Sequence, residues 1–211
     1  MSNNLLGMIF GVASALIWGG GDFSGGMATR RASTFQVLAV TSFVGLAAML
    51  ALALLTGEAW PRGIDYVWAG AAGATGAVGI IALFYGLSKR AAAIVAPTSA
   101  VVGTAVPVVV SALIEGLPGP AQMAGFVVAG IGIWLVSRPP GEVTREMRRL
   151  FWLAAGSGVC FGTFFVMIAQ VQADSLFAPL TISKASASLT ALLLLGLRRL
   201  PLPNLRRNPL A

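Results

Sequence analysis

Long apolar stretches alternate with short polar gaps along the chain. A helix needs about 20 mostly apolar residues to cross the roughly 30 Å hydrocarbon core of a bilayer. Seven stretches approach that length, and each is bounded by charged residues, proline or glycine. The pattern therefore predicts seven transmembrane helices: Leu5 to Gly21, Phe35 to Thr56, Tyr66 to Leu87, Ala92 to Ile114, Ala121 to Ser137, Leu150 to Gln170 and Leu176 to Leu197.

The two ends of the chain need separate interpretation. No Lys or Arg precedes the first apolar stretch, whereas a secretory signal peptide begins with a positively charged region. We therefore expect the first stretch to be a retained helix. The segment from Arg198 to Ala211 holds four arginines and three prolines, so it cannot span a membrane and is expected to form a basic tail.

Composition agrees with a membrane protein. Of the 211 residues, 57% are hydrophobic and 10% are charged, with a mean hydropathy of +0.86, whereas a soluble domain carries about 25% charged residues. The 26 glycines are interleaved with aliphatic residues, which is typical of closely packed membrane helices. The expected fold class is an all-α integral membrane protein.

The net charge of +7 does not indicate a nucleic-acid partner, because the basic residues lie in the short gaps between apolar stretches. Numbering the gaps alternately by side gives twelve basic residues on one side and only Arg62 on the other. The positive-inside rule then predicts a multi-pass protein of the cell membrane with its N-terminus outside and the twelve in the cytoplasm. They are Arg30, Arg31, Lys89, Arg90, Arg138, Arg145, Arg148, Arg149, Arg198, Arg199, Arg206 and Arg207.

An internal repeat emerges when the chain is shifted on itself by 143 residues, which lays helices six and seven on helices one and two. Because five helices separate equivalent points, and five is odd, the second copy must cross the membrane in the opposite direction. We therefore expect an inverted five-helix repeat. Matched positions include Ser14 with Ser157, Trp18 with Phe161, Leu46 with Leu189 and Leu50 with Leu193, and the small residues Gly11, Ala15 and Gly19 match Ala154, Gly158 and Gly162.

A family resemblance is carried by three segments: GVASALIWGGGDFSGGMATRR from Gly11 to Arg31, AAAIVAPTSAVVGTAVPVVVSALIEG from Ala91 to Gly116, and the end of the fifth helix from Leu135 to Arg138. Together they resemble the EamA family of the drug/metabolite transporter (DMT) superfamily, which is built from two inverted five-helix repeats. The family is often drawn with cytoplasmic termini, whereas the charges here favour an outside N-terminus.

The resemblance implies a division of the chain into four parts. Residues 1–138 form the first five-helix repeat and residues 139–149 a basic loop. Residues 150–197 form the first two helices of a second, inverted repeat, and residues 198–211 form the basic tail. The second repeat is therefore expected to be truncated, without helices eight to ten.

The resemblance also implies a secondary transporter, a permease or exporter of small metabolites or drugs that works by alternating access. Its expected partners are the lipid bilayer, a small-molecule substrate, and a second copy or a homologous chain in a dimer. The alternative from another functional class is a non-transporting protein, either a truncated remnant or an assembly partner of a membrane transporter.

The sequence offers no catalytic motif. It contains no histidine, no GxSxG, no Walker A loop and no clustered carboxylate pair, so we expect no enzyme activity. Cys160 is the single cysteine, which leaves no disulfide framework and no paired-cysteine metal site. No cofactor and no metal are expected.

Two charged residues lie in or beside predicted helices. Asp22 is at the cytoplasmic edge of helix one, and Lys184 is eight residues into helix seven. A charge near the bilayer centre costs about 2.5 to 3.5 kcal/mol, so Lys184 should face the bundle interior or water, unless it snorkels to the interface. Either residue is a candidate for proton coupling or for pairing with an anionic substrate. The surrounding GGGDFSGG, Gly19 to Gly26, is interpreted either as a frayed helix end or as a thin-walled part of a substrate path.

Helix four carries two prolines, Pro97 and Pro107, which leave the carbonyls of Ala93 and Gly103 without helical donors. Hydroxyl side chains nearby could line a cavity or satisfy these kinks locally. Aromatic residues in helices one and six could stack on a substrate or simply pack. The substrate-path candidates are Trp18, Asp22, Pro97, Thr98, Ser99, Thr104, Pro107, Phe161 and Lys184.

Overall fold

The computed structural model describes residues 2–89, 91–136, 144–172 and 174–201, and every regular element in these ranges is an α-helix. Six of the helices are long and apolar enough to cross a membrane, and the fifth is a shorter apolar helix. The predicted all-α membrane fold is therefore confirmed. The helices are α1 (Ser2–Ala28), α2 (Thr34–Thr56), α3 (Asp65–Ser88), α4 (Ala92–Glu115), α5 (Pro120–Val136), α6 (Arg145–Ile168) and α7 (Phe177–Leu197).

Five helices begin and end within one residue of their predicted bounds. The α1 helix is longer than predicted at both ends, and α6 begins before its predicted start at Leu150 and ends before its predicted end at Gln170. The α6 helix begins at Arg145 because the hydroxyl oxygen of Thr144 caps it, accepting a hydrogen bond of 3.2 Å from the backbone N–H of Met147.

The α1 helix continues through the glycine-rich segment to Ala28, so its interpretation as a frayed helix end was wrong. Contact with α3 explains the extension. Gly25 lies against the ring of Phe84, and a Cβ on Gly26 would lie 2.8 Å from the Cβ of Leu87. The absence of side chains there lets the two helices approach closely.

The centre of the bundle is α3, which packs against α6 on one side and α7 on the other. The α4 helix packs mainly on α6, and α2 packs mainly on α7. The spanning part of α1 is largely exposed, and α5 contacts α4. Two apolar clusters form the core: one contains Val37, Leu83, Phe84, Leu87, Val95, Leu150 and Ala154, and the other contains Leu38, Ala39, Ala77, Ala187, Ala191 and Leu195.

The α2 and α7 helices run antiparallel, as hydrogen bonds at both ends of the pair show. Near the start of α2, the side-chain amide of Gln36 donates to the carbonyl oxygen of Pro201, just beyond α7, at 2.9 Å. Beyond the end of α2, the carboxylate of Glu58 accepts from the backbone of Phe177, the first residue of α7, at 2.7 Å.

Basic side chains cluster at the end of the bundle where α3 ends and α6 begins. Lys89 and Arg149 line one cavity there, and the guanidinium carbon of Arg198 lies 5.7 Å from the ring centroid of Phe35. Arg62 lies at the opposite end, in the connection between α2 and α3. Four of the twelve basic residues counted in the sequence lie outside the described residues: Arg90, Arg138, Arg206 and Arg207.

Candidate functional site

A buried hydroxyl pair joins three helices near the middle of the bundle. Ser157 on α6 donates to the carbonyl oxygen of Gly79 on α3 at 2.8 Å. Ser99 on α4 donates in turn to the hydroxyl oxygen of Ser157 at 3.2 Å. Both serines are buried. Such interhelical bonds contribute on average about 0.6 kcal/mol in membrane proteins, so this pair specifies how α3, α4 and α6 fit together more than it stabilises them.

Glycines make the α4–α6 contact very close. A Cβ on Gly158 would lie 2.6 Å from the carbonyl oxygen of Ser99, and a Cβ on Gly103 would lie 3.4 Å from the carbonyl oxygen of Gly158. About one turn further, Gly162 lies directly against the side chain of Val106. The backbones of α4 and α6 are therefore in contact along this line.

The two prolines of α4 lie inside a continuous helix, and both are half-buried. Pro107 has no N–H, so the carbonyl of Gly103 loses its helical donor. That carbonyl faces α6, because a Cβ on Gly162 would lie 3.0 Å from its oxygen. Thr98 is buried, whereas Thr104 is exposed and donates to the carbonyl oxygen of Ala100 within its own helix at 2.9 Å.

Phe161 packs at the same junction. Its ring carbons lie 3.3 Å from the point where a Cβ on Gly79 would stand, and its own Cβ lies 3.6 Å from the equivalent point on Gly103. The ring is half-buried. The fold thus brings Phe161 and Ser99 to the same junction of α3, α4 and α6. Pro107 affects this junction because it frees the Gly103 carbonyl that faces α6.

Lys184 lies elsewhere, at the interface of α2 and α7. Its Cδ and Cε atoms each lie 3.2 Å from the point where a Cβ on Gly45 would stand. Gly45 is eleven residues from either end of α2, which corresponds to about 16 Å of helix. The half-buried stem of Lys184 therefore crosses α2 at mid-height. The residue before Lys184 brings α7 close to α3, since Gly73 on α3 lies directly against the backbone of Ser183.

The two candidates on α1 lie apart from both of these places. The side chain of Trp18 is 56% exposed, and Asp22 is half-buried. No described atom lies within 4 Å of a Cβ placed on Gly11 or Gly19. Their partners in the repeat, Ala154 and Gly162, are buried against neighbouring helices.

Glu58 is a functional candidate that the sequence did not single out. Its carboxylate accepts hydrogen bonds from the backbone N–H groups of Leu176, Phe177 and Ala178 at 3.1, 2.7 and 2.9 Å. Burial raises the pKa of this carboxyl, but the three N–H donors lower it, and the net pKa lies below the usual value. The next residue, Pro179, has no N–H. Glu58 thereby satisfies the first donors of α7, for which α7 has no side-chain cap of its own.

A second bond ties the same two loops together. The carboxylate of Asp65 accepts from the backbone N–H of Gln172 at 3.3 Å. Glu58 and Asp65 flank the α2–α3 connection, and their partners lie in the α6–α7 connection and at the start of α7. The signal that could have revealed this contact was the uncapped start of α7 beside an acidic loop at the same end. Within the described ranges, no three His, Cys, Asp or Glu side chains are grouped to hold a metal ion.

A family model described as the EamA-like transporter family matches residues 5–138. No curated protein and no solved structure matches the chain. The matched range covers α1 to α5, and α6 and α7 lie outside it.

Proposed function

The chain belongs to the EamA-like transporter family, and we propose that it is a secondary transporter that moves a small metabolite or drug across the cell membrane by alternating access. Membership places the protein among multi-pass transporters of the DMT type. The observation that supports the alternating-access mechanism is the antiparallel pairing of α2 with α7. An inverted repeat runs its equivalent helices in opposite directions across the membrane, and the antiparallel α2–α7 pair agrees with this.

In this proposal, residues 1–138 form the first repeat and residues 150–197 begin the second, with residues 139–149 and 198–211 as basic segments. The substrate path runs where the two repeats meet, along the interface of α2 and α7. Rocking of one repeat against the other would expose this interface alternately to each side. The basic end of the bundle faces the cytoplasm, as the loop charges favour.

Lys184 is the proposed contact for a substrate anion or for a coupled proton. Its stem lies against Gly45 at mid-height of α2, and a lysine side chain extends only about 6 Å, less than half of the roughly 16 Å to the helix end. Snorkelling to the interface is therefore disfavoured. A mid-depth ammonium is stable in a membrane when it faces water or an opposite charge.

A second candidate function is supported by the bare face of α1. The small residues of α6, Ala154, Gly158 and Gly162, pack on neighbouring helices, whereas Gly11 and Gly19 on α1 meet nothing within 4 Å. By the repeat, a helix equivalent to α4 would pack on α1. If another chain supplies that helix, the protein is an assembly partner of a transporter.

A ligand screen followed by solute counterflow distinguishes the two functions. Purified full-length chain is screened by thermal shift against amino acids, aromatic metabolites and hydrophobic cations, and each hit is tested for counterflow in proteoliposomes. The transporter proposal expects exchange of at least one hit, lost in Lys184→Met and retained in Leu189→Met, a control at an exposed position of the same helix. Binding without exchange by the chain alone would favour the assembly partner.

A further inference from the structure

A cavity of about 340 Å³ opens at the basic end of the bundle, between the end of α3 and the start of α6. It is lined by Tyr85, Lys89, Glu146, Arg149, Leu150 and Leu153. The proposed substrate path runs between α2 and α7, neither of which contributes a lining residue. The cavity therefore needs an explanation of its own.

The polar half of the cavity carries two cations and one carboxylate. Lys89 and Arg149 are exposed, as is Glu146. Lys89 holds its ammonium nitrogen 5.3 Å from the ring centroid of Tyr85, a cation–π contact that positions the charge at the cavity wall. Among the described residues, none of the three charged groups forms an ion pair. The lining is thus net positive by one charge, with donors available to an anion.

The other half of the cavity is apolar. Leu150 is buried and Leu153 is half-buried, and both lie on the α6 face that carries Arg149. Trp152, in the same turn, is 68% exposed. Tryptophan is enriched where membrane helices cross the headgroup region. A ligand here meets cations on one side and an aliphatic surface leading into the bilayer on the other.

We propose that this cavity binds the headgroup of an anionic glycerophospholipid such as phosphatidylglycerol. Arg149 and Lys89 donate to the phosphodiester oxygens, and Glu146 accepts from the glycerol hydroxyls. One acyl chain lies along Leu153. Basic pockets between transmembrane helices are suited to such headgroups, since planar guanidinium and ammonium groups pair well with phosphate.

Glu146 explains why a lipid fits better than free phosphate. A phosphodiester carries one negative charge, which the net charge of the lining matches. Inorganic phosphate has neither an acyl chain to lie along Leu153 nor glycerol hydroxyls to donate to Glu146, so it meets the opposing carboxylate without these compensating contacts. The site therefore favours the diester.

The test measures thermal unfolding of the full chain in detergent with added phosphatidylglycerol, phosphatidylethanolamine, phosphatidylcholine or inorganic phosphate. Phosphatidylglycerol should raise the unfolding temperature most. Arg149→Gln should weaken its apparent affinity about tenfold, equal to about 1.4 kcal/mol. Arg148→Gln is the matched control, because it removes the same charge from the neighbouring position, which does not line the cavity.

Three results would contradict the proposed lipid site. They are an equal loss of phosphatidylglycerol affinity in Arg148→Gln and Arg149→Gln, an equal rise in unfolding temperature with the zwitterionic lipids, or an equal rise with inorganic phosphate. Glu146→Gln gives an independent arm, since removing the opposing charge should let inorganic phosphate stabilise the protein. Failure of phosphate to do so would contradict the role of Glu146 in selectivity. None of these outcomes depends on whether the protein transports a solute.

Discussion

The carboxylate of Glu58 accepts a hydrogen bond of 2.7 Å from the backbone N–H of Phe177, so the loop after α2 holds the first turn of α7. The two residues belong to different proposed repeats. Two further N–H groups at the start of α7 donate to the same carboxylate. The contact thus closes one end of the α2–α7 pair while Gln36 and Pro201 join the other end.

Glu58 is predicted to make stability depend on pH. Its pKa is lower in the folded chain than the usual value of about 4.3, so its stabilisation is fully present above that value and is lost as the pH falls through the folded-state pKa. Glu58→Gln should lower the unfolding temperature at about pH 7 and should flatten the decline that the wild type shows as the pH falls through the folded-state pKa of Glu58. Thermal unfolding followed by circular dichroism measures both effects.

The matched control is Glu115→Gln, which removes an exposed carboxylate whose hydrogen bond to Ser111 stays within α4. It should leave both the unfolding temperature and its pH dependence close to those of the wild type. A wild-type pH profile in Glu58→Gln would show that the carboxylate does not hold α7.

Replacing equivalent glycines of the repeat by alanine should change the stability of the protein differently at Gly162 and at Gly19. Gly162→Ala places a Cβ against Val106 and 3.0 Å from the carbonyl oxygen of Gly103, so it should destabilise the protein by about 1 to 3 kcal/mol. Gly19→Ala meets nothing within 4 Å and should be neutral or stabilising by up to about 1 kcal/mol.

Unfolding of the two purified variants in the same detergent gives the comparison. A large loss of stability in Gly19→Ala would mean that another helix packs on α1 in the purified protein. Co-purification of a second chain would then show which protein supplies that helix. Equal and small effects from both changes would contradict the close α4–α6 contact.

The orientation is tested with single cysteines at the two ends of the bundle. In a Cys160→Ala background, Arg62→Cys should react with an impermeant thiol reagent from outside intact cells, and Arg145→Cys should react only after the membrane is opened. Both positions are exposed. Labelling at position 145 from outside would reverse the proposed topology.

Much of the secondary structure was predictable, because a bilayer leaves few ways to satisfy a backbone, and each apolar stretch of sufficient length becomes a helix. The end of α1 was not. Glycine discourages helix in isolation, and only the contact of Gly25 with Phe84 shows why the helix continues. Local sequence does not reveal a partner on another helix.

The arrangement of the helices was less predictable than their existence. Several helices are apolar around most of their surface, so periodicity gives no direction for packing. The sequence grouped Trp18 and Lys184 with the hydroxyls of α4, whereas the fold places them in three separate regions. Whether each contacts a substrate stays a prediction. Of the α3 glycines, Gly73, Gly76 and Gly79 lie against α6 or α7, whereas nothing lies within 4 Å of a Cβ placed on Gly70.

In the proposed function, an aqueous path along α2 and α7 opens to each side in turn, and the accessibility of Gly45→Cys in the Cys160→Ala background tests whether this path exists. Position 45 lies at mid-height of α2 beside Lys184, where the flexible lysine stem can make room for a thiol. An impermeant thiol reagent should label it from outside in right-side-out vesicles and from inside in inverted vesicles. Leu189→Cys, at an exposed position of α7, should be labelled from neither side, because a thiol in lipid does not ionise readily. Labelling of position 45 from neither side, in protein that folds as the wild type does, would show that no such path runs along α2 and α7.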